Sequence, residues 1–407
     1  MDQLTLYDQI LGLSSPWKTT SVELHDSSEE ILVTVSYDRG NPPLCPICRG
    51  NGRLYDSRRR TWRHLDTCQY KTIIQADVPR VACSEHGIHT LQVPWADSSS
   101  HYTMLFESRV LALAQENTIS AVSRQLRLSW SNIDRIIRRG IARGLSRRWK
   151  VDCRHLHVDE TSISTRREYI TVLSNQAGMV LAIADGRSRD SLIACLRSIP
   201  IQWLSKTRSL SMDMSRAYIR AAHDFFGVRA SKLIGFDHFH VARAITRSVD
   251  EVRKQDMKKL PSLERLQVHK NRYLWLRNGS ELDTESRAEI DSHSALMSNT
   301  TIAWTLKEKA REIWKGKEPQ TRNSWKQWAR LARATGLRPL IAVAEMVLNH
   351  LTGIVVAMKS GFSNSRAEAI NKNIKNLNRN AHGHRNKERY KAMIYFKFGR
   401  LDTSFSH

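Results

Sequence analysis

The feature that most constrains the fold of this 407-residue chain is an alternation of strand-like and helical segments that begins after Val151. Short runs rich in β-branched and other apolar residues predict strands, and longer periodic segments predict helices. The runs that we interpret as strands are 155–163, 169–173, 179–184, 209–214 and 231–237. Helices are predicted at 189–199 and from residue 216. The element order is therefore βββαβαβ followed by a helix.

This order predicts an α/β domain of the ribonuclease H-like type, in which three hairpin-linked strands precede right-handed βαβ units. The first and fourth strands of such a sheet are neighbours. Asp159 and Asp213, each near the end of its strand, are therefore expected to meet at one edge. Adjacent carboxylates repel each other unless a cation joins them, so the pair is a candidate Mg²⁺ site. The alternative for any single acid is an ordinary surface charge.

Glu368 is the candidate third carboxylate of the same site. It is isolated among basic residues, in a segment whose pattern predicts a helix. Asn371, Lys372 and Lys375 would lie one or two turns from Glu368 on the same side of that helix. There they could hold a DNA backbone beside the metal.

A separate set of side chains near the N-terminus predicts a structural zinc site. Cys45-Pro-Ile-Cys48 and Cys83-Ser-Glu-His86 are two chelating pairs, each with two intervening residues. Three thiolates and one imidazole can close a tetrahedral zinc site, and the neighbouring strand-like segments suit a small zinc ribbon. His89 could replace His86, but only with a different spacing. The alternative is a set of ordinary reduced cysteines.

Residues 118–140 predict a helix-turn-helix. The turn would fall at 127–129, and the second helix would bury its isoleucines. That second helix would project Asn132, Arg135, Arg138 and Arg139 towards the major groove of DNA. The alternative is an amphipathic helical hairpin with a basic surface.

The charge of the chain favours a polyanionic partner. There are 64 Lys and Arg residues against 40 Asp and Glu residues, a net charge of +24. Nucleic acid neutralises such a charge, whereas no basic amphipathic helix with an aromatic face indicates a membrane surface. There is no run of eighteen uncharged apolar residues and no segment of signal-peptide type. We therefore expect a cytoplasmic protein that does not bind membranes.

Together these motifs resemble bacterial insertion-sequence transposases of the ISL-three type. The resemblance covers the chain from about Cys45 to Tyr390. It rests on the two Cys-containing pairs, the helix-turn-helix, Val-Asp159-Glu160, Asp213-Met-Ser-Arg-Ala-Tyr218, Asp237-His-Phe-His240-Val241, and the segment from Ser363 through Glu368 to Lys375. His86 is a departure, because many relatives carry a fourth Cys there; zinc accepts either ligand.

The resemblance implies a DDE transposase whose triad is Asp159, Asp213 and Glu368. The triad would hold two Mg²⁺ or Mn²⁺ ions for cleavage and strand transfer, and one structural Zn²⁺ would be bound elsewhere. The DNA partners would be the terminal inverted repeats and the target, with a homodimer in the synaptic complex and a nucleoid location. Asp237 and His240 resemble a D-x-x-H signature of Mutator-like transposases, which packs near the active site. Whether Asp237 is also a metal ligand remains open from the sequence.

We expect a domain organisation in which a helical insertion explains the long separation between Asp213 and Glu368. The predicted segments are a zinc-binding domain at 1–97, a helix-turn-helix domain at 101–150, the first part of the core at 151–257, the insertion at 258–345, and the core completion with a basic tail at 346–407. Pro94 to Ser100 is interpreted as a linker. The Trp residues of the insertion are expected in its core.

Two alternatives to the transposase interpretation remain. One is a sequence-specific DNA-binding regulator with an inactive nuclease-like core. The other is a structure-specific nuclease of the same fold without strand transfer. Intact acids at all three positions argue against the regulator, and the N-terminal specificity modules argue against the nuclease.

Overall fold

The structure is a computed structural model that describes residues 2–40, 42–163, 168–269, 272–316, 321–360, 365–380 and 386–405. Only the backbone is described for residues 267, 269 and 365–368. The chain divides into two compact units. The first comprises Met1–Arg148 with Leu401–His407, and the second comprises Trp149–Arg400.

The first unit contains a mixed five-stranded sheet and a group of helices. Its elements are α1 (Gln3–Leu11), β1 (Trp17–His25), β2 (Glu30–Tyr37), β3 (Arg53–Arg63), β4 (Lys71–Cys83), β5 (Gly87–Thr90), α2 (Met104–Glu116), α3 (Ile119–Leu126) and α4 (Trp130–Ser146). The strand order is β1-β2-β4-β3, and β5 pairs with β4. β2 and β4 are parallel, and the other pairs are antiparallel.

Three tryptophans form the centre of the core beside this sheet. The ring of Trp95 lies edge-on to Trp17 at 5.1 Å and to Trp62 at 5.4 Å between centroids. Edge-to-face packing of this kind is favoured by the aromatic quadrupole. The interpretation of residues 94–100 as a linker is therefore wrong, because Trp95, Ala96 and Ser100 are buried.

The last described residues of the chain return to the first unit and pack on α4. Arg143 donates a hydrogen bond of 3.0 Å from Nη2 to the carbonyl of Thr403 and stacks on the ring of Phe405. A Cβ atom at Gly144 would lie 2.6 Å from the Cβ of Leu401, so glycine is required for this close approach. The tail thus forms part of the packed surface of α4.

The second unit is built on a five-stranded sheet with helices on both faces. Its strands are β6 (His155–Ser162), β7 (Tyr169–Asn175), β8 (Val180–Asp185), β9 (Ser209–Met212) and β10 (Ile234–Phe236). The order is β10-β9-β6-β7-β8. β6 is parallel to β9 and antiparallel to β7. The predicted strand succession and the pairing of the first strand with the fourth are confirmed.

The helices of the second unit cover the sheet and extend from it. They are α5 (Arg189–Arg197), α6 (Ile201–Leu204), α7 (Arg216–Phe226), α8 (Ala230–Leu233), α9 (His238–Lys259), α10 (Ser262–His269), α11 (Arg272–Leu276), α12 (Thr284–His293), α13 (Ser298–Lys315), α14 (Thr321–Ala334), α15 (Arg338–Asn349), α16 (Leu351–Ser360), α17 (Ser365–Asn380) and α18 (Lys387–Phe398).

The two faces of this sheet have different partners. Leu156 and Val158 of β6 belong to the large core cluster, together with residues of α5 and α7. Ile163 and Ile170, on the other face, pack with Ile374 of α17 and with residues of α18. Since side chains alternate along a strand, the odd-numbered positions of β6 face α17.

Tryptophan side chains of α11, α13 and α14 take part in the large core cluster of the second unit. Trp275, Trp325 and Trp328 are buried, which confirms their prediction as core residues. Among the described residues, no single helix is long and apolar enough to cross a membrane. The helices α15 and α16 together meet that test of length and composition, but a bend of 69° separates them.

Candidate metal, DNA-binding and catalytic sites

Four side chains of the first unit form a candidate zinc centre. The ligand atoms of Cys45, Cys48, Cys83 and His86 all lie within 4.8 Å of one another. Tetrahedral zinc with Zn–S bonds near 2.3 Å separates two sulfur ligands by about 3.8 Å. The Sγ atoms of Cys48 and Cys83 are 3.8 Å apart, so the arrangement fits a zinc ion.

The local backbone prepares these ligands for metal binding. The Cys45 N–H donates to the Gly50 carbonyl at 2.9 Å, which closes the first knuckle. A backbone hydrogen bond from Glu85, with a further contribution from His86, lowers the pKa of the Cys83 thiol to about 6. The thiolate, not the thiol, is the metal ligand. His89 lies outside the cluster, and its Nε2 donates a hydrogen bond to the His86 carbonyl.

The helix-turn-helix is formed by α3 and α4, and side chains cap both helices. Thr118 accepts a hydrogen bond from the Ala121 N–H, and Ser129 accepts one from the Asn132 N–H. Such caps satisfy the unpaired N–H groups of a first helical turn. Arg127, in the turn, donates to Asp66 at 3.1 Å and thereby ties the motif to the sheet of the same unit.

The polar side chains of α4 differ in what they contact. Arg135 and Arg138 are exposed, and Asn132 is partly exposed. Arg139 instead donates a hydrogen bond to Glu107, which is 1% exposed. The expectation that Arg139 projects with the others is therefore wrong, because the buried carboxylate of α2 draws its guanidinium inwards.

Three aspartates hold the same register position on three neighbouring strands of the second unit. Ser211 of β9 pairs with His157 of β6 and with Gly235 of β10. Two residues further along each chain segment come Asp159, Asp213 and Asp237. Neighbouring strands are about 4.8 Å apart, so the backbone positions of the three aspartates form a row across the sheet.

Asp159 is held between the sheet and α17. Its Oδ1 accepts a hydrogen bond of 2.8 Å from the Glu160 N–H, and its Oδ2 accepts one from the side-chain amide of Asn371. Burial raises the pKa of Asp159 to about 6. A buried carboxylate is stabilised in its charged form by a nearby cation. The site therefore suits a divalent metal ion with oxygen ligands.

The other two aspartates lie directly ahead of helices, and Asp237 is the N-cap of α9. Asp213 accepts a hydrogen bond of 2.9 Å from the Ser215 N–H ahead of α7. Asp237 is 5% exposed and accepts one of 2.9 Å from the Phe239 N–H at the start of α9.

His157 is a site residue that the sequence interpretation did not include. It precedes Asp159 by two positions and faces the same side of the sheet. It is 4% exposed, and neither ring nitrogen has a hydrogen-bond partner among the described residues. Burial lowers the pKa of His157 to about 4, so its imidazole is neutral at physiological pH. The strand alternation around Asp159 could have indicated it.

The residues of α17 that are predicted to contact DNA lie in two environments: some face the solvent and one faces the sheet. Lys372 and Lys375 are exposed, as a contact with DNA requires. Asn371 is 8% exposed and bonds to Asp159, so its assignment to the DNA backbone is wrong. Position 368 lies one turn before Asn371 on the helix, and the side chain of Glu368 lies outside the described residues.

Comparisons with known proteins identify the class to which these features belong. A family model for a DDE transposase domain, described as a transposase, matches residues 156–394. A model for the helix-turn-helix domain of transposase family ISL3 matches residues 91–141. A model for the zinc finger of transposases IS204, IS1001, IS1096 and IS1165 matches residues 41–86. These matches define a DNA-binding transposase with a DDE domain.

The chain belongs to the ISL3 family of transposases, because the first model covers more than half of it. It is 24% identical over 364 residues to the transposase for insertion sequence element IS1001 of Bordetella parapertussis, which covers 87% of this chain and 88% of that one. It is also 24% identical over 369 residues to the transposase for IS1557 of Mycobacterium tuberculosis (strain H37Rv), with coverages of 84% and 82%.

Proposed function

We propose that this chain catalyses metal-dependent cleavage at the ends of an insertion sequence and joins the freed ends to target DNA. Asp159, Asp213 and Glu368 are the proposed triad. The observation that carries the proposal is that Asp159 and Asp213 each follow by two positions the paired residues His157 and Ser211, beside a helix that contacts Asp159 through Asn371. Glu368 precedes Asn371 by one turn on that helix.

The proposed fold of the second unit is a ribonuclease H-like core with a helical insertion between β10 and α17. Its support is the strand order, with one parallel and one antiparallel neighbour for β6. Residues 258–345 form the proposed insertion, since they precede the helices that return to the sheet. Gly235 supports this return, because a Cβ atom there would lie 3.3 Å from the Cα of Ala357 in α16.

In the proposed mechanism the side chains of the protein bind the DNA and orient the carboxylates of the triad. Arg135, Arg138 and Asn132 would read bases in the terminal repeats, while exposed Lys372 and Lys375 would bind phosphates next to the aspartates. Two Mg²⁺ ions held by the triad would supply an activated water or 3′-hydroxyl and stabilise the leaving oxygen. Asn371 would keep Asp159 in its orientation. A dimer is proposed because two ends must be held together.

The test uses the full chain with Mg²⁺ and labelled DNA that carries the ends of its own element. We expect nicking at the repeat boundary by the natural protein and none by Asp159→Asn, which should still bind the DNA. Asp190→Asn is the matched control, because the side chain of Asp190 is 85% exposed on the outer turn of α5.

Three outcomes would contradict the proposal. Binding without cleavage by the natural protein, in Mg²⁺ and in Mn²⁺, would favour the regulator with an inactive core. Cleavage that survives Asp159→Asn would show that the catalytic metal is held elsewhere. Cleavage without joining would favour the nuclease.

A further inference from the structure

An exposed stripe of α9 begins directly after the row of aspartates. Asp237 caps this helix, and Phe239, Arg243 and Arg247 follow at four-residue intervals on one side of it. All three are exposed, whereas Val241, Ile245 and Val249 on the other side are buried. The helix therefore presents one aromatic and two cationic groups in line with the candidate catalytic centre.

This stripe forms one wall of a cavity of about 1010 Å³ in the second unit. The opposite wall comes from α11 and α13, through Arg272, Lys307, Arg311 and Trp314. Pockets that hold drug-sized ligands have volumes of about 300–1,000 Å³. The cavity can thus admit a single nucleotide with its neighbouring phosphates, but not a duplex.

The charge of the cavity suits phosphate. Five of its lining residues are cationic, and one, Asp250, is a carboxylate. Lys307 is engaged with backbone carbonyls, including that of Trp275 at 3.2 Å. Arg247 pairs with Glu251 at 2.9 Å on an exposed surface, where such pairs are weak. Among the described residues, no ion pair involves Arg243. Its guanidinium can therefore donate hydrogen bonds to a phosphate.

The aromatic groups of the cavity suit a nucleobase. Phe239 is 53% exposed, which is unusual for a phenylalanine on a packed helix. The rings of His238 and Trp314, which also line the cavity, lie 4.4 Å apart between centroids. Stacking on aromatic rings, combined with a basic groove that follows the backbone, is how proteins hold single-stranded DNA.

We infer that the cavity between α9, α11 and α13 binds a single DNA strand, with a base stacked on Phe239 and phosphates on Arg243 and Arg247. This inference deepens the proposed function and rests on it for the source of the strand. The strand would be the one next to the scissile phosphate, separated from its complement beside Asp237. The chemical class of the ligand is single-stranded DNA, not duplex DNA.

The test measures binding of the full chain to a short fluorescein-labelled oligothymidylate, by anisotropy at several KCl concentrations. Loss of one phosphate contact on a single strand lowers the salt slope by about 0.7. The double variant Arg243→Ala/Arg247→Ala should therefore lower the slope by about 1.4. Phe239→Ala should weaken binding about tenfold at each salt concentration and leave the slope unchanged.

Matched controls separate the cavity from general charge. Lys326→Ala/Arg330→Ala removes two exposed cations at the same spacing on α14, outside the cavity, and should leave oligothymidylate binding unchanged. Binding to a hairpin duplex should be the same for all variants. Unchanged oligothymidylate binding by both cavity variants would overturn the inference, and so would an equal loss with the duplex.

Binding and cleavage also separate this inference from the proposed function. If the cavity variants lose single-strand binding while the natural protein cleaves no DNA, the cavity holds a strand and the catalytic proposal fails. If the natural protein cleaves the repeat boundary and the cavity variants bind oligothymidylate normally, the catalytic proposal stands and the cavity assignment is wrong.

Discussion

The side-chain amide of Asn371 donates a hydrogen bond to a carboxylate oxygen of Asp159, across 212 positions of sequence. Both residues are largely buried, and the contact joins α17 to β6. An amide that donates to a carboxylate fixes the orientation of the lone pairs that remain for a metal ion. The position of α17 and the geometry of Asp159 are therefore coupled.

Asn371→Ala should lower cleavage activity by about 10- to 100-fold, the usual effect of losing a residue that orients a metal ligand. The Mg²⁺ concentration that gives half-maximal cleavage should rise, while the affinity for DNA stays the same. Asn373→Ala is the control, because Asn373 is exposed on the same helix. Cleavage measured against Mg²⁺ concentration tests this prediction. Equal curves for the natural protein and Asn371→Ala would contradict an orienting role for Asn371.

The stability of the protein without Mg²⁺ should depend on pH through Asp159. Its pKa is about 6 in the folded chain and 3.8 in the unfolded one, so the folded state binds the extra proton between these values. Stability from this group is thus present below pH 3.8 and is lost as the pH rises to about 6. Asp159→Asn should remove this pH-dependent loss of stability, and should stabilise the chain by up to about 3 kcal/mol near pH 7.

Urea unfolding at several pH values measures this effect. The stabilisation by Asp159→Asn should shrink as the pH falls through about 6, and Asp190→Asn should show no such trend. A gain that is independent of pH would mean that the buried charge is not its cause.

Removal of one cysteine ligand should release zinc and destabilise the first unit. We expect one zinc per chain in the natural protein and in Cys68→Ser, whose thiol is exposed and lies outside the cluster. Cys45→Ser should lose the metal, because three ligands do not close a structural site. Metal content by mass spectrometry and the melting temperature provide the measurement. Full zinc content in Cys45→Ser would contradict the assignment.

Alanine variants of two arginines of α4 should affect different properties, one DNA binding and the other stability. Arg135→Ala should weaken binding to the terminal repeats by about tenfold and change the stability by less than about 0.5 kcal/mol. Arg139→Ala leaves the buried Glu107 with the hydroxyl of Ser100 but without a cation, and should destabilise the protein by about 3 kcal/mol. Gel-shift titrations and urea unfolding of both variants test the pair. Similar stabilities would mean that the Glu107 contact is unimportant.

The sequence was sufficient for the features that follow from local rules. Alternating apolar runs and the right-handed crossover rule predict that Asp159 and Asp213 meet, and β6 and β9 do pair. The two-residue spacing of the cysteine pairs predicts a cluster that the structure brings together. In both cases a short segment determines which way each side chain points.

The features that the sequence did not indicate depend on contacts between distant segments. The helical period shows that Asn371 and Lys375 share a side, but only the burial of Ile374 against the sheet decides what each one contacts. Likewise, Trp95 lies in a stretch of linker-like composition, and its burial depends on Trp17 and Trp62. Such contacts have no local pattern to identify them.

The packing of Thr403 and Phe405 on α4 has a consequence for how the protein is made. A ribosome completes α4 long before it reaches these residues, and the whole second unit is translated in between. The surface around Gly140 and Gly144 therefore stays uncovered until residues 401–405 have been synthesised. A chain whose synthesis stops before residue 401 contains every proposed catalytic residue but an unfinished first unit.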